Sequence, residues 1–226
     1  MNDGIIEIGA DGFWKERCLP AASLERTAAL FESIAGETIV EIGSGLHGSK
    51  SGNSILLWAG RTSAKGIYAV DPKPQRIDEV REATAGYNAV RAVVQDGQSF
   101  MEEFQATIDL LYLDFWVEVE NYRDALPKPE TGAVRAEAYL RIYQASRNKL
   151  APQSLILIDD TDHIDPWKHS SIVPAARADG FKVLWTGRQT LLARGADAGT
   201  GSRESSRSCC GGGRTPRDED RRDTPP

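Results

Sequence analysis

The sequence predicts an α/β protein built on a seven-stranded, mostly parallel sheet that closes with a C-terminal antiparallel hairpin. Three observations carry this. Apolar strand-like runs alternate with helix-like segments through residues 1–194, the pattern of βαβ units. A glycine-rich turn, Gly43-Ser44-Gly45-Leu46-His47-Gly48, directly follows the first of these runs. The last two runs are separated by only Gly187 and Arg188, too short for a parallel crossover, so they must fold back on each other.

Residues 1–37 read as an N-terminal cap and helix region, with a helix over 22–35 and with Phe13, Trp14 and Lys15 placed to fold over a cleft. The first strand is 38–42, where Ile39, Val40 and Ile42 make a buried run. It ends in the glycine turn, and a helix over 51–60 follows. Glycine lets the backbone adopt positive φ and approach a ligand closely. Strand, glycine loop and helix together form the nucleotide cradle of a Rossmann-like, doubly wound fold. Further strands are expected at 66–70, 90–94, 108–113, 154–158, 181–186 and 189–194, with helices over 74–85, 98–104, 133–149 and 170–179. Between the fourth strand and the next helix, residues 117–132 form a long loop with Glu118, Glu120, Asn121 and Tyr122. Long ordered loops in compact domains tend to be functional lids.

Composition bounds the function. At 226 residues, 40% hydrophobic and 27% charged, the chain suits one soluble α/β domain. A formal net charge of −6 opposes general nucleic-acid binding, which would show a basic face. No apolar run reaches the roughly 20 residues that span a bilayer. The N-terminus lacks the layout of a signal peptide, so a cytoplasmic protein is expected. Cys18, Cys209 and Cys210 make neither a disulfide framework nor a metal knuckle. From residue 195 to 226 the chain holds Gly, Ser, Arg, Asp and Pro but no Leu, Ile, Val or aromatic residue. Such a segment cannot offset its ordering entropy and reads as a disordered low-complexity tail; an altered reading frame would leave the same composition.

The motifs together resemble the class I S-adenosylmethionine (SAM)-dependent methyltransferases, over most of residues 38–194. The resemblance rests on Glu41 followed by Gly43 and Gly45, on Asp71 closing the second strand, on Asp96 after the third, and on the terminal hairpin. It implies that Glu41, Gly43, Ser44, Gly45, Gly48 and Ser49 shape the cofactor loop. It also implies that Asp71 takes the ribose hydroxyls, and that Asp96, beside Gly97, accepts a bond from the adenine amino group. Asp71 and Asp96 each have a plainer reading as helix N-caps.

Ligands and catalytic groups gather at the carboxyl ends of parallel strands. Leu113-Asp114-Phe115-Trp116 ends the fourth strand and Ile158-Asp159-Asp160 the fifth, so Asp114, Asp159 and Asp160 should converge. Clustered carboxylates repel unless a proton or cation intervenes, and oxygen ligands suit Mg²⁺ or another hard divalent cation. This resembles the catechol-type and sugar-type O-methyltransferases, and implies methyl transfer to a hydroxyl of a small polar molecule, with Asp114 serving cofactor, metal and catalysis. One departure stands out. Those enzymes carry a lysine base three positions after the strand-four aspartate, where this chain has Val117. His163 is the candidate base instead, on its ordinary pKa near 6.5. His47 could touch cofactor or substrate, and Trp116, Tyr122 and Trp167 could wall the pocket. A hydroxylated small molecule is the expected partner, with neither nucleic acid nor membrane; a homodimer is compatible. The competing readings are a degenerate SAM-binding protein and an NAD(P)-dependent oxidoreductase.

Overall fold

The computed structural model describes residues 20–45, 54–117, 129–162 and 166–195. The chain runs α1 (Pro20–Ser33), β1 (Thr38–Ile42), α2 (Ser54–Arg61), β2 (Gly66–Asp71), α3 (Pro74–Ala83), β3 (Val90–Val94), α4 (Gly97–Glu103), β4 (Ile108–Leu113), α5 (Pro129–Ser146), β5 (Leu150–Ile158), α6 (Lys168–Ala178), β6 (Lys182–Trp185) and β7 (Thr190–Arg194). The seven strands form one sheet in the order β3-β2-β1-β4-β5-β7-β6. Pairings from β3 through β5 are parallel, and β7 enters antiparallel between β5 and β6. The expected sheet and its closing hairpin are both present.

Strand side chains alternate between the two faces, and each face buries its own core. Val40, Ile42, Leu111, Leu113, Ile156 and Ile158 pack with residues of α4, α5 and α6, among them Phe100, Tyr139 and Ile172. Ile39, Leu110, Tyr112, Leu155 and Leu157 pack on the other face with Leu24 and Phe31 of α1, Trp58 of α2 and Val80 of α3. Both faces of the central strands are therefore buried, as a parallel sheet requires. Among the described residues no helix is long and apolar enough to cross a membrane.

Most helix ends shift by a few residues, and α5 begins at Pro129, inside the expected 117–132 loop; the strand differences are at β5 and the hairpin. β5 begins at Leu150, ahead of the expected 154, although Pro152 cannot donate to a ladder. The ladder accommodates it by an irregularity: Ile108 pairs with Leu150 and Leu110 with Leu155, so the segment holding Pro152 bulges out of register. The hairpin strands are also shorter than expected, leaving Thr186–Gln189 as the connection, and the β6–β7 register shifts between Val183 and Trp185.

Sheet order reverses at β1, which has β2 on one side and β4 on the other. The crevice beyond the carboxyl ends of β1 and β4 is the switch point where open α/β sheets bind ligands. Gly48, Ser49, His47, the loop through Tyr122, the Phe13-Trp14-Lys15 segment, the three cysteines, His163 and the tail from residue 196 lie outside the described residues.

Candidate active site

The chain leaves β1 through Gly43, whose φ is +93°. A Cβ there would lie 2.4 Å from the Asp114 carbonyl oxygen and from the Phe115 Cα. Only glycine lets the β1 and β4 ends approach this closely. Gly43 and Ser44 both donate their N–H groups to the Val70 carbonyl, tying the loop to β2. Beneath the loop, buried Glu41 accepts hydrogen bonds from Ser44 Oγ (2.9 Å), Ser54 Oγ (3.0 Å) and Trp58 Nε1 (2.8 Å). Burial nevertheless pushes its pKa up, against those three bonds. Glu41 thus braces the glycine turn against α2.

A cavity of about 410 Å³ opens at the switch point, lined among others by Gly43, Asp71, Arg76, Asp96, Gly97 and Phe115. Four of the expected cofactor residues meet on its wall. Asp71 is 3% exposed; its Oδ1 accepts from the Lys73 N–H at 2.8 Å and its Oδ2 from Arg76 Nη1 at 3.2 Å. Asp96 is the N-cap of α4, with Oδ1 accepting from the N–H groups of Gln98 and Ser99 at 3.0 and 3.1 Å. The cap reading and the cavity-wall reading are both true of it. Gly97 is needed for packing, since a Cβ would lie 2.4 Å from Ile42 Cγ2. Two carboxylates and two glycines lining a nucleoside-sized cavity fit the adenosine part of SAM.

Beside this cavity, carboxylate oxygens of Asp114, Asp159 and Asp160 lie within 4.8 Å of one another. The sequence placed these residues together correctly. Asp160 adopts a left-handed φ of 52°, a strained choice for a non-glycine residue that clusters at functional sites. Burial, then the charge of Asp159, holds the Asp114 carboxyl well above the usual carboxylate range, with Lys168 opposing. Burial, then Asp160, raises Asp159. Asp162 is pushed up to about 7, chiefly by burial.

Sequence reasoning missed the positive side of this cluster. Lys168 Nζ lies 3.1 Å from Asp160 Oδ2, and Arg188 Nη2 lies 2.7 Å from Asp160 Oδ1 and 3.8 Å from Asp159 Oδ2. Gln189 Nε2 donates to Asp159 Oδ1 at 2.6 Å and to the Tyr112 hydroxyl at 3.2 Å. The register explains why. Ile158 pairs with Thr190, so antiparallel pairing brings the hairpin residues before Thr190 beside those after Ile158. Lys168 arrives as the first residue of α6, whose preceding Trp167 donates its indole N–H to the Asp160 carbonyl. The expected divalent cation does not fit the cluster as it stands. Its donor type is right, but both Asp160 oxygens and one of Asp159 already accept bonds from side chains.

Aromatic residues frame the opening. Phe115 stacks on Tyr139 at 4.0 Å between centroids, and the Tyr139 hydroxyl donates to the Phe115 carbonyl at 2.7 Å. Trp116 is 53% exposed, and Arg135 lies over its ring at 3.9 Å and over that of Trp167 at 4.8 Å. Trp116 thus stands at the mouth, while Trp167 is buried behind it.

A sheet ordered 3-2-1-4-5-7-6, with a glycine-lined cavity at its switch point, defines a Rossmann-like methyltransferase fold. A protein-family profile for a methyltransferase domain matches residues 40–161, more than half of the chain. The chain therefore belongs to this family, the class I SAM-dependent methyltransferases. Solved structures agree on the fold. A protein assigned as a caffeoyl-CoA O-methyltransferase from Staphylococcus aureus superposes with a TM-score of 0.54 at 13% identity, over 81% of this chain and 85% of that one. An assigned methyltransferase from Streptococcus mutans in complex with SAH gives 0.53 at 12% identity, over 75% and 96%. One assigned as an rRNA methylase from Clostridium thermocellum gives 0.52 at 9%, over 79% and 97%. No curated protein matches the sequence.

Proposed function

We propose that this protein transfers the methyl group of SAM to a hydroxyl of a small polar molecule held over Asp114, Asp159 and Asp160. The observation that supports this reading is the adjacency of two sites: the cavity walled by Gly43, Asp71 and Asp96 opens beside the carboxylate cluster. SAM supplies an electrophilic methyl when bound. Asp71 would hold the ribose hydroxyls, exchanging its contact with Arg76 for them, and Asp96 would face the adenine. Phe115 and the Gly43 backbone, which line the cavity, would screen the bound cofactor from water, and Trp116, at the mouth, would meet the acceptor. Asp114, whose carbonyl packs against Gly43 of the glycine loop, is the candidate to accept a proton from a substrate hydroxyl. His163, outside the described residues, stays the second candidate for that proton. The cluster of Asp114, Asp159 and Asp160 favours a hydroxylated acceptor over an apolar one, and a cytoplasmic location goes with this reading.

The test has two stages. Calorimetry with SAM and with NAD should show SAM binding alone; NAD binding without SAM binding would overturn the reading. Transfer of labelled methyl from SAM should then be detectable on a panel of polyols and catechols. Transfer to an amine panel with none to hydroxyls would displace the hydroxyl as acceptor.

A further inference from the structure

We propose that Lys168 and Arg188 are the resident cations of the acidic cleft, occupying the place a divalent ion takes in metal-dependent relatives, so that methyl transfer here is metal-independent. This rests on the methyl-transfer reading for its catalytic part and on the geometry alone for its ion-binding part.

Lys168 is the informative residue. It is 1% exposed, and it stands at the first position of α6. Burial and helix position both oppose a cation there: the ammonium loses its hydration, and the positive end of the helix dipole repels it. A lysine so placed weakens the fold unless its charge has a fixed partner. Its partner is Asp160, at 3.1 Å, and its ammonium also lies 5.4 Å from the Trp116 ring and 5.5 Å from that of Tyr139. Trp116 lines the cavity mouth and Tyr139 lies in the core beneath it, and the faces of both rings attract a cation. Arg188, on the hairpin, takes the other Asp160 oxygen and also lies 3.8 Å from Asp159 Oδ2. The two cations come from separate elements, α6 and the β6–β7 connection, yet meet on one carboxylate whose backbone is left-handed. Hairpin register and helix start are thus both spent on charging this point.

The charge pattern accounts for the lysine absent at Val117. A lysine three positions after Asp114 would add a third cation to a cluster of three carboxylates that already holds two. Lys168 reaches the same cleft from α6. It acts through Asp160 and is a positioning residue: it holds the strand-five carboxylates in place and keeps an external cation from their oxygens.

The decisive probe is Mn²⁺ alone, followed by electron paramagnetic resonance and equilibrium dialysis on the full chain, which needs no methyl acceptor. Wild type should bind Mn²⁺ no tighter than the millimolar range, and its transfer activity should be unchanged by EDTA. Lys168→Met, with two cationic contacts reduced to one, should gain a site of micromolar affinity that Asp160→Asn removes. It should lose at least about 100-fold in transfer rate. Lys168→Arg, which keeps the charge, should bind no Mn²⁺ and recover most of the activity. SAM calorimetry on each variant confirms a folded cavity; if Lys168→Met fails to bind SAM, Arg188→Met serves the same comparison. Stoichiometric micromolar Mn²⁺ on wild type, lost in Asp160→Asn, would overturn the proposal. So would full EDTA-resistant activity in a folded Lys168→Met. Absence of SAM binding by wild type would instead remove the methyl-transfer reading and leave the Mn²⁺ comparison intact.

Discussion

At the scale of single residues, Glu41 separates the effect of charge from the effect of donor satisfaction. Its carboxylate serves three buried donors, two of which are serine hydroxyls able to reverse and accept. The third, the Trp58 indole N–H, can only donate. Glu41→Gln can therefore turn its oxygen to Trp58 and its nitrogen to the serines, and it no longer carries a charge that burial penalises. It should keep stability within about 0.5 kcal/mol. Glu41→Leu strands the indole donor and loosens the glycine loop, and should cost about 3 kcal/mol. Urea denaturation of the two variants makes the comparison, and equal losses would mean that the negative charge itself holds the loop. Residues of this kind were partly legible. Acids at strand ends show in sequence because each follows an apolar run, which is why Asp71, Asp96, Asp114, Asp159 and Asp160 could be named. Their partners do not show. Lys168 and Arg188 reach the cleft through a helix start and a strand register, both set by pairing over long sequence distances. The one local signal was a lysine opening a helix, where an acid is favoured.

At the scale of elements, the placement of α6 depends on α5. Gly132 of α5 packs so tightly under Pro166 that an added Cβ would lie 1.8 Å from the Pro166 carbonyl oxygen. The close backbone approach fixes where the chain enters α6, one residue ahead of Trp167 and two ahead of Lys168. Gly132→Ala must push that entry outward. Overpacking of this sort costs about 1–3 kcal/mol, and transfer activity should fall further than stability alone explains, because Lys168 moves with the helix start. Gly86→Ala is the control, since its Cβ meets nothing within 4 Å. Thermal unfolding and initial rates of both variants decide it; equal behaviour would detach α6 from α5 packing. The elements themselves were legible because both faces of the sheet are buried. Ile39, Leu110 and Leu155 are needed on one face and Val40, Leu111 and Ile156 on the other, so strands read as continuous apolar runs. What failed was the beginning of β5. Pro152 signals a break in any local reading, and only the ladder with β4 shows that a bulge absorbs it.

At the scale of the whole molecule, buried acids make stability depend on pH in an unusual direction. Glu41, Asp114, Asp159 and Asp162 all have folded-state pKa values raised above those of the unfolded chain, burial being the first cause in each. A raised carboxyl favours the protonated folded form. Its contribution is complete below the unfolded pKa and disappears as pH rises through the folded one. Asp162, at about 7, puts one such loss within reach of ordinary buffers. Between about pH 6 and about pH 8.5 a single group of this kind costs about 1.4 kcal/mol. The protein should therefore unfold at lower urea near pH 8.5 than near pH 6, with the slope against urea unchanged. Asp162→Asn removes the titrating group while keeping its size and a hydrogen-bonding amide, and should flatten that difference. The variant also withdraws a carboxylate that faces Arg188, so the guanidinium keeps Asp159 and Asp160 as its charge partners. Unfolding midpoints of wild type and Asp162→Asn at the two pH values settle the assignment. If the variant keeps the full wild-type difference, the loss belongs to Asp114 and Asp159, which burial and neighbouring carboxylates also raise.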